Sequence, residues 1–401
     1  MSADKQGGAL EGLRVLDLTR VLAGPLCAQI LGDMGADVIK IEPPGTGDDT
    51  RSWGPPFTGG ESAYFVGLNR NKRSVTLNMA AKAGQEILAE LLKRSDVLVE
   101  NFKLGTLEKW GFGNDWLEKN APQLIRCSIT GYGSKGPDAG LPGYDFILQA
   151  ESGLMSICGE PEGTPTKYGV AIVDVVTGLY ACNTVLGALA ARNRTGRGQH
   201  VEVCLYDSGI AMLINVASNY LVSGKDARRF GNGHPNVVPY TTYPTADTMI
   251  AVAVGNDAQF ARFSETVGHP EWAADPRFTR NPDRIANRDA LDSLISAALK
   301  ADKTAAWIMK LRAVGVPCGP INTVAQALNH PHTLAREMVR TVKHPTAGAL
   351  KLVGIPFEMN GTPATIRRPP PRLSEHTDEV LGTELGLSGE RLTQLRADKI
   401  I

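Results

Sequence analysis

Short runs of β-branched and other apolar residues alternate with helix-periodic stretches through the first third of the chain. Strand-like runs fall at residues 13–18, 38–41, 75–78, 97–100 and 124–129, and helices are predicted at 25–34 and 83–93. Strand and helix in this repetition predict a mostly parallel sheet with helices on its faces. Residues 198–204 read as a further strand and 205–222 as one apolar helix. Near Ser223 the pattern gives way to SGKDARRFGNGHPNVVPY, rich in glycine, proline and charge, as at a domain crossing. From Thr241 to about Leu328 one strand pair, YPTADTMIAVAVG, precedes amphipathic helices at 257–268 and 304–314, which predicts a small α+β domain. The tail carries a strand in ALKLVGIPFEMNG, the proline-rich link RRPPPRL and a last helix pair, placed back on the large domain. Residues 1–222 and 329–401 are thus expected in a large domain and 223–328 in a small one, a division that 401 residues accommodate.

Composition narrows the chemistry. Lysine plus arginine equals aspartate plus glutamate at 42 each, so no general attraction to nucleic acid or anionic lipid is expected, and an anionic ligand needs a local basic patch. The six cysteines are scattered without a C-x-x-C pair, which reads as reduced thiols in a cytoplasmic protein. The opening residues have neither the basic nor the apolar region of a signal peptide. The longest apolar stretch, 169–192, contains Asp174 and Asn183, which argue for a buried strand and helix over a membrane span.

Asp174 follows the β-prone run 170–173 and precedes an apolar helix, so it sits where an N-cap belongs. A structural cap and a nucleophile both suit that place. Helix N–H groups and the dipole favour the carboxylate, while apolar neighbours exclude water. The segment GYGSKG, 131–136, satisfies G-x-G-x-x-G, yet Pro137, Gly140, Pro142 and Gly143 prevent a helix from opening there, so it reads as a ligand-lining loop and not a dinucleotide fingerprint. Arg70, Lys72 and Arg73 cluster before a strand, as a solvated turn or as a phosphate-binding patch. The seven histidines have no metal-ligand spacing and there is no G-x-S-x-G elbow, which leaves zinc and serine hydrolase chemistry without its residues.

Taken in order, GLRVLDLTRVLAGPLCAQILGDMGADVIKIEPPGTGDDTR, LNRNKRSVTLN, DVLVENF, SITGYGSKGP, GYDF, GVAIVDVVTGLYA, TGRGQHVEVCLYD and SEHTDEVL resemble the class III CoA-transferase family over nearly the whole chain. RVLAGP, GDDTRSWGPPF, HPNVVPY and GVPCGPIN are most similar to members that act on dicarboxylates, such as succinyl-CoA:glutarate CoA-transferases. The resemblance implies an α/β fold with a doubly wound, mostly parallel large domain and a small α+β domain, in an interlocked homodimer. It implies that Asp174 is the nucleophile, forming mixed anhydrides and an aspartyl-CoA thioester, with backbone N–H donors stabilising each oxyanion. Asn69, Arg70, Asn71, Lys72 and Arg73, with Asn101, Phe102, Lys109, Tyr132 and Lys135, fall in segments that the family uses for CoA. CoA esters and a free carboxylic acid are then substrates, with no permanently bound cofactor, metal, nucleic acid or membrane. Arg20 and Arg51 are expected to hold a second carboxylate, with Tyr144, His234 and Tyr240 as further candidates.

There are departures. Leu22 and Pro43 stand where formyl-CoA transferase has glutamine and arginine, and GNGHPNVVPY replaces its glycine-run lid, against formate and oxalate specificity. Tyr144 in GYD stands where related 2-methylacyl-CoA racemases carry a histidine, which removes the second proton carrier a racemase needs. A racemase and a noncatalytic CoA-binding protein are the alternatives.

Overall fold

The computed structural model describes residues 7–401. The chain divides into two units: one holds the residues up to Leu154 with Tyr168–Ala217 and His332–Ile401, and the other holds Met155–Lys167 and Ser218–Pro331. The crossings fall at Ser218 and His332, close to the compositional change, but the excursion Met155–Lys167 has no such signal. It is held in unit two by Arg229, whose guanidinium donates to the carbonyls of Glu160, Pro161 and Gly163.

Unit one is built on six parallel strands: β1 (Arg14–Asp17), β2 (Asp37–Glu42), β3 (Lys72–Thr76), β4 (Val97–Glu100), β5 (Ile125–Thr130) and β6 (His200–Cys204). Their order is β3-β2-β1-β4-β5-β6. The chain winds outward from β1 on one side, then returns to start again at β4 on the other. This is a doubly wound α/β sheet whose order reverses between β1 and β4, and ligands of such sheets bind outside the carboxyl ends of the strands at that reversal.

Alternation within the strands assigns the two faces. Val15, Val97, Val99, Cys127 and Ile129 point to one core with helices α1 (Ala23–Asp33) and α4 (Ile172–Thr195). Leu16, Ile39, Ile41, Val75 and Leu98 point to the other, closed by helix α2 (Lys82–Lys93) and by Val380, Leu381, Leu392 and Leu395 from the tail. Each such side chain contributes about 1.5–3 kcal/mol by leaving water. Helix α4 is long and apolar enough to span a bilayer by length and composition. Its Val173, Ala181, Val185 and Ala188 are buried in this core, and a Cβ on Gly178 would come within 2.7 Å of the Ala23 carbonyl, so glycine permits the close approach to α1.

Two local expectations change. Residues 170–173 form no strand, because the chain turns at Gly169–Val170 and helix α4 already starts at Ile172. The apolar run 205–222 is broken into Leu205–Ala211 and Ile214–Ser223, with Ile214 at a φ of 36°. Unit two has the strands β7 (Tyr240–Pro244), β8 (Met249–Ala253) and β9 (Cys318–Pro320), antiparallel in the order β9-β8-β7. Phe260, Phe263, Leu291, Ile295, Trp307 and Leu311 from its helices form the core beneath them.

Candidate active site

The strand ends at the reversal rest on buried ion pairs. Lys72 donates to the Asp17 carboxylate, the Pro25 carbonyl and the Asn69 side chain, each at 2.9 Å. Lys40 reaches Asp48 at 2.9 Å and the Thr19 carbonyl at 2.8 Å. Burial pushes the Asp17 and Asp48 carboxyls up, but the lysines and hydroxyl donors around them outweigh it, and Asp48 is held down at about 2. Burial brings the Lys72 ammonium down to about 8 against the pull of Asp17. This frame fixes the loop after β1, where Val21 adopts a φ of 73° and its N–H donates to Asp48. A β-branched residue there costs about 1–3 kcal/mol.

The same contacts correct the reading of residues 69–73. Asn69, Arg70, Asn71, Lys72 and Arg73 are buried, and their polar groups are engaged inside the fold. Arg70 forks onto Asp33 at 2.9 and 2.6 Å, Asn71 donates to the same carboxylate, and Arg73 pairs with Asp37, Glu379 and Glu384. They form a structural ion-pair belt and not an exposed phosphate patch. Arg51 is likewise spent: it binds Glu42 through two nitrogens and Glu61 through a third, and stacks 3.7 Å over Phe65. It does not line the cleft as a free carboxylate clamp.

The cleft at the reversal has a volume of about 210 Å³ and is lined by Arg20–Ala23, Asp49, residues 101–104, Thr130, Gly131, residues 140–144, Asp174 and Leu205. It brings together Asp174, Arg20, Asn101, Phe102 and Tyr144 of the residues read from sequence. Asn101 braces the Arg20 peptide from both sides, accepting from its N–H at 3.1 Å and donating to its carbonyl at 2.9 Å. The Arg20 side chain, 49% exposed, is paired only loosely with Asp49 at 3.3 Å. Phe102 packs edge-on against Trp110.

Asp174 is the third residue of α4 and not its cap. The cap comes from elsewhere: Asp145, first residue of helix α3 (Asp145–Glu151), accepts from the N–H of Val173 at 2.8 Å and of Asp174 at 3.3 Å. Gln149 holds the second oxygen of Asp145 at 2.7 Å. The helix N–H groups expected to keep Asp174 ionised therefore serve another carboxylate. Burial first, and then the charge of Asp145, push the Asp174 carboxyl up to about 7. Tyr64 feels the same pair: burial and the charges of Asp174, Asp145 and Asp48 raise its phenol to about 12, so it remains a hydroxyl donor.

The other sequence candidates are dispersed. Lys109 and Lys135 are exposed and are not among the residues that line the cleft. Tyr132 donates to Glu151 at 2.6 Å and stacks on Tyr206. Tyr144, by contrast, lines the cleft, with 66% of its surface exposed. His234 and Tyr240 belong to unit two, their rings 5.2 Å apart, with His234 Nδ1 accepting from the Asn236 N–H. Asp145, Tyr64, Asp49 and Lys103 were not singled out. Asp145 and Asp49 left a trace in the sequence, inside GYDF and GDDTRSWGPPF. Among the described residues no cluster of metal-ligating side chains occurs.

A family model described as CoA-transferase family III matches residues 10–377. The chain belongs to this family. It is a CoA-transferase, and its relatives agree. It is 42% identical to succinyl-CoA:glutarate CoA-transferase of Mus musculus, over 93% of this chain and 85% of that protein. It is also 42% identical to succinate–glutarate CoA-transferase of Agrobacterium fabrum, over 93% and 94% of the two chains. The crystal structure of a CAIB/BAIF family protein from Brucella suis superposes with a TM-score of 0.83 at 43% identity, covering 94% of this CoA-transferase and all of that chain. The cleft, with one elevated carboxyl at the sheet reversal, is the candidate active site of this transferase.

Proposed function

We propose that the enzyme moves CoA from succinyl-CoA to a short dicarboxylate such as glutarate, with Asp174 as the covalent shuttle. The observation that carries this reading is the Asp174 carboxyl itself: it lines the cleft, its charge is opposed by burial and Asp145, and no cation among the described residues pairs with it. Such a carboxylate is a stronger nucleophile than an ordinary surface aspartate. Its ionised form attacks the thioester carbonyl, the C–S bond breaks, and CoA leaves as thiolate from a succinyl–aspartyl anhydride. The thiolate attacks the aspartyl carbonyl and succinate departs, leaving an aspartyl-CoA thioester. The acceptor carboxylate then displaces the thiolate to give a second anhydride. The thiolate attacks the acceptor's carbonyl, releasing the new acyl-CoA and the Asp174 carboxylate. No proton is gained or lost over the cycle, and no ATP is consumed.

Dicarboxylate use is supported by the names of the relatives and by Arg20, whose loose pairing with exposed Asp49 leaves it able to exchange partners for a distal carboxylate at the same cleft. We further infer a homodimer. Helix Ile214–Ser223 carries no buried residue although Leu221 and Val222 are 79% and 90% exposed, as expected of a surface that a second copy covers. The free cysteines suit a cytoplasmic setting. The test is a panel of acceptor acids with succinyl-CoA, the CoA products identified by mass spectrometry. Glutarate and similar diacids are expected to outrun acetate and butyrate, and the reverse order would overturn the assignment.

A further inference from the structure

We propose that Asp145 is a positioning residue for the Asp174 reaction: it caps the helix that carries the nucleophile and sets a second negative charge beside it. The inference rests on the role proposed for Asp174 and adds a device that controls it. Three observations converge on Asp145. Its Oδ1 takes the N–H groups of Val173 and Asp174, and the remaining N–H of the first turn, on Ile172, donates to Val170, so the helix start offers Asp174 no donor of its own. Its Oδ2 accepts from Gln149, a residue 1% exposed, whose amide oxygen in turn receives the Tyr168 N–H and whose nitrogen reaches the Val170 carbonyl. The link from α3 to the approach of α4 is therefore a buried brace, and the direction of the carboxylate is fixed. No arginine or lysine pairs with either aspartate among the described contacts.

The consequence follows from charge counting. Before reaction two carboxylates share the helix start; burial first, and then the Asp145 charge, push the Asp174 carboxyl up to about 7. Acylation converts Asp174 into a neutral anhydride or thioester and removes that repulsion, while Asp145 keeps its cap. The covalent states are stabilised relative to the free enzyme by the repulsion that has vanished. Deacylation restores the repulsion, so the same charge limits how deep the intermediate lies. The charged and titratable groups that act on Asp174 or line its cleft are Asp145 from α3, Tyr64 from helix Ala63–Leu68, and Arg20, Asp49, Lys103 and Tyr144 along the cleft, while helix Leu205–Ala211, packed against α4, carries Asp207. Of these, Asp145 is the one that both bonds to the helix start and opposes the charge of Asp174.

The experiment is the pH profile of kcat/KM for transfer, measured with full-length enzyme, Asp145→Asn and Asp145→Ser. The asparagine oxygen retains the cap without the charge. The serine variant retains a shorter acceptor and avoids placing an amide against Gln149. The native profile is expected to rise with pH through about 7, and both variants should move that limb toward acid by about one unit. Acyl adduct trapped with hydroxylamine from succinyl-CoA should fall in both variants relative to native enzyme. A purely structural cap would lower the rate or the melting temperature without moving the limb, and limbs that coincide would overturn the proposal. So would a native profile with no acid limb near 7. Asp174→Ala measured alongside separates the two readings: an active Asp174→Ala enzyme defeats the nucleophile assignment, whereas an inactive one with unmoved Asp145 profiles defeats only the role of Asp145.

Discussion

The buried charges beneath β1–β3 and the carboxylates at the start of α4 are built from the same residue types under opposite rules. Beneath the sheet, Asp17, Glu42 and Asp48 each face a cation, and all three are held below the ordinary carboxylate range although burial alone would raise them. At α4, burial goes uncompensated and Asp145 adds to it, so the Asp174 carboxyl is pushed up to about 7. Neutralised charge secures the strained loop at Val21 and the strand ends, and the carboxylate left without a counter-ion is the one proposed to carry the chemistry. The chain has enough cations to neutralise Asp174, yet Arg51, Arg70, Lys72 and Arg73 are committed elsewhere.

The largest expected effect breaks the second region. Asp174→Ala should lower transfer by about 10⁴-fold or more while the protein still folds cooperatively in a urea titration, because the role proposed for the lost group is that of the nucleophile. Residual activity above about one percent would contradict that role. Next in size, Lys72→Met leaves Asp17 buried without its partner and should cost about 3–5 kcal/mol in chemical denaturation. A mild stability loss accompanied by a selective rise in the KM for acyl-CoA would return Lys72 to ligand binding.

The comparison sharpens when pH is varied. Asp48 has a native pKa of about 2, below its unfolded value, so its stabilisation is fully present above pH 4 and is lost as pH falls through 2. Asp48→Asn should cost about 2 kcal/mol at pH 6, with the difference from native protein shrinking in acid. Asp174 has the opposite sign. Its native pKa lies above the unfolded value, so the folded state holds a proton that the unfolded state has released between about pH 4 and 7, and stability falls across that window. Asp174→Asn should therefore be more stable than native enzyme at pH 8, by about 1–4 kcal/mol, and no more stable at pH 4. Equal slopes for the two variants would dissolve the distinction. The smallest effect is in specificity: Arg20→Ala should reduce the preference for glutarate over butyrate about tenfold, roughly the worth of one charge-assisted pair, without changing stability.

The sheet was legible because its strands are short β-branched runs separated by helix-length segments, and that pattern survives without knowledge of any partner. The belt at residues 69–73 was misread for the converse reason. A basic run before a strand looks the same whether it faces water or acids inside the fold, and here the acids, Asp17, Asp33 and Asp37, come from elements 36–55 positions earlier. Asp174 was found through its place at a helix start and through the resemblance, but its environment was not. The apolar residues around it were visible, whereas the capping carboxylate comes from Asp145, 29 residues away. Arg20 and Arg51 look alike in sequence. Their difference lies in Glu42 and Glu61, which engage Arg51 and leave Arg20 at the cleft.

The measurement that bears most directly on the covalent assignment is to incubate the native enzyme with succinyl-CoA, quench with hydroxylamine, digest it and map the modified peptide by mass spectrometry. A hydroxamate at Asp174, formed only when the acyl-CoA is present and depleted when glutarate is added before the quench, is the predicted result. A fully active enzyme that yields no adduct, or one that carries it on another residue, would contradict the account.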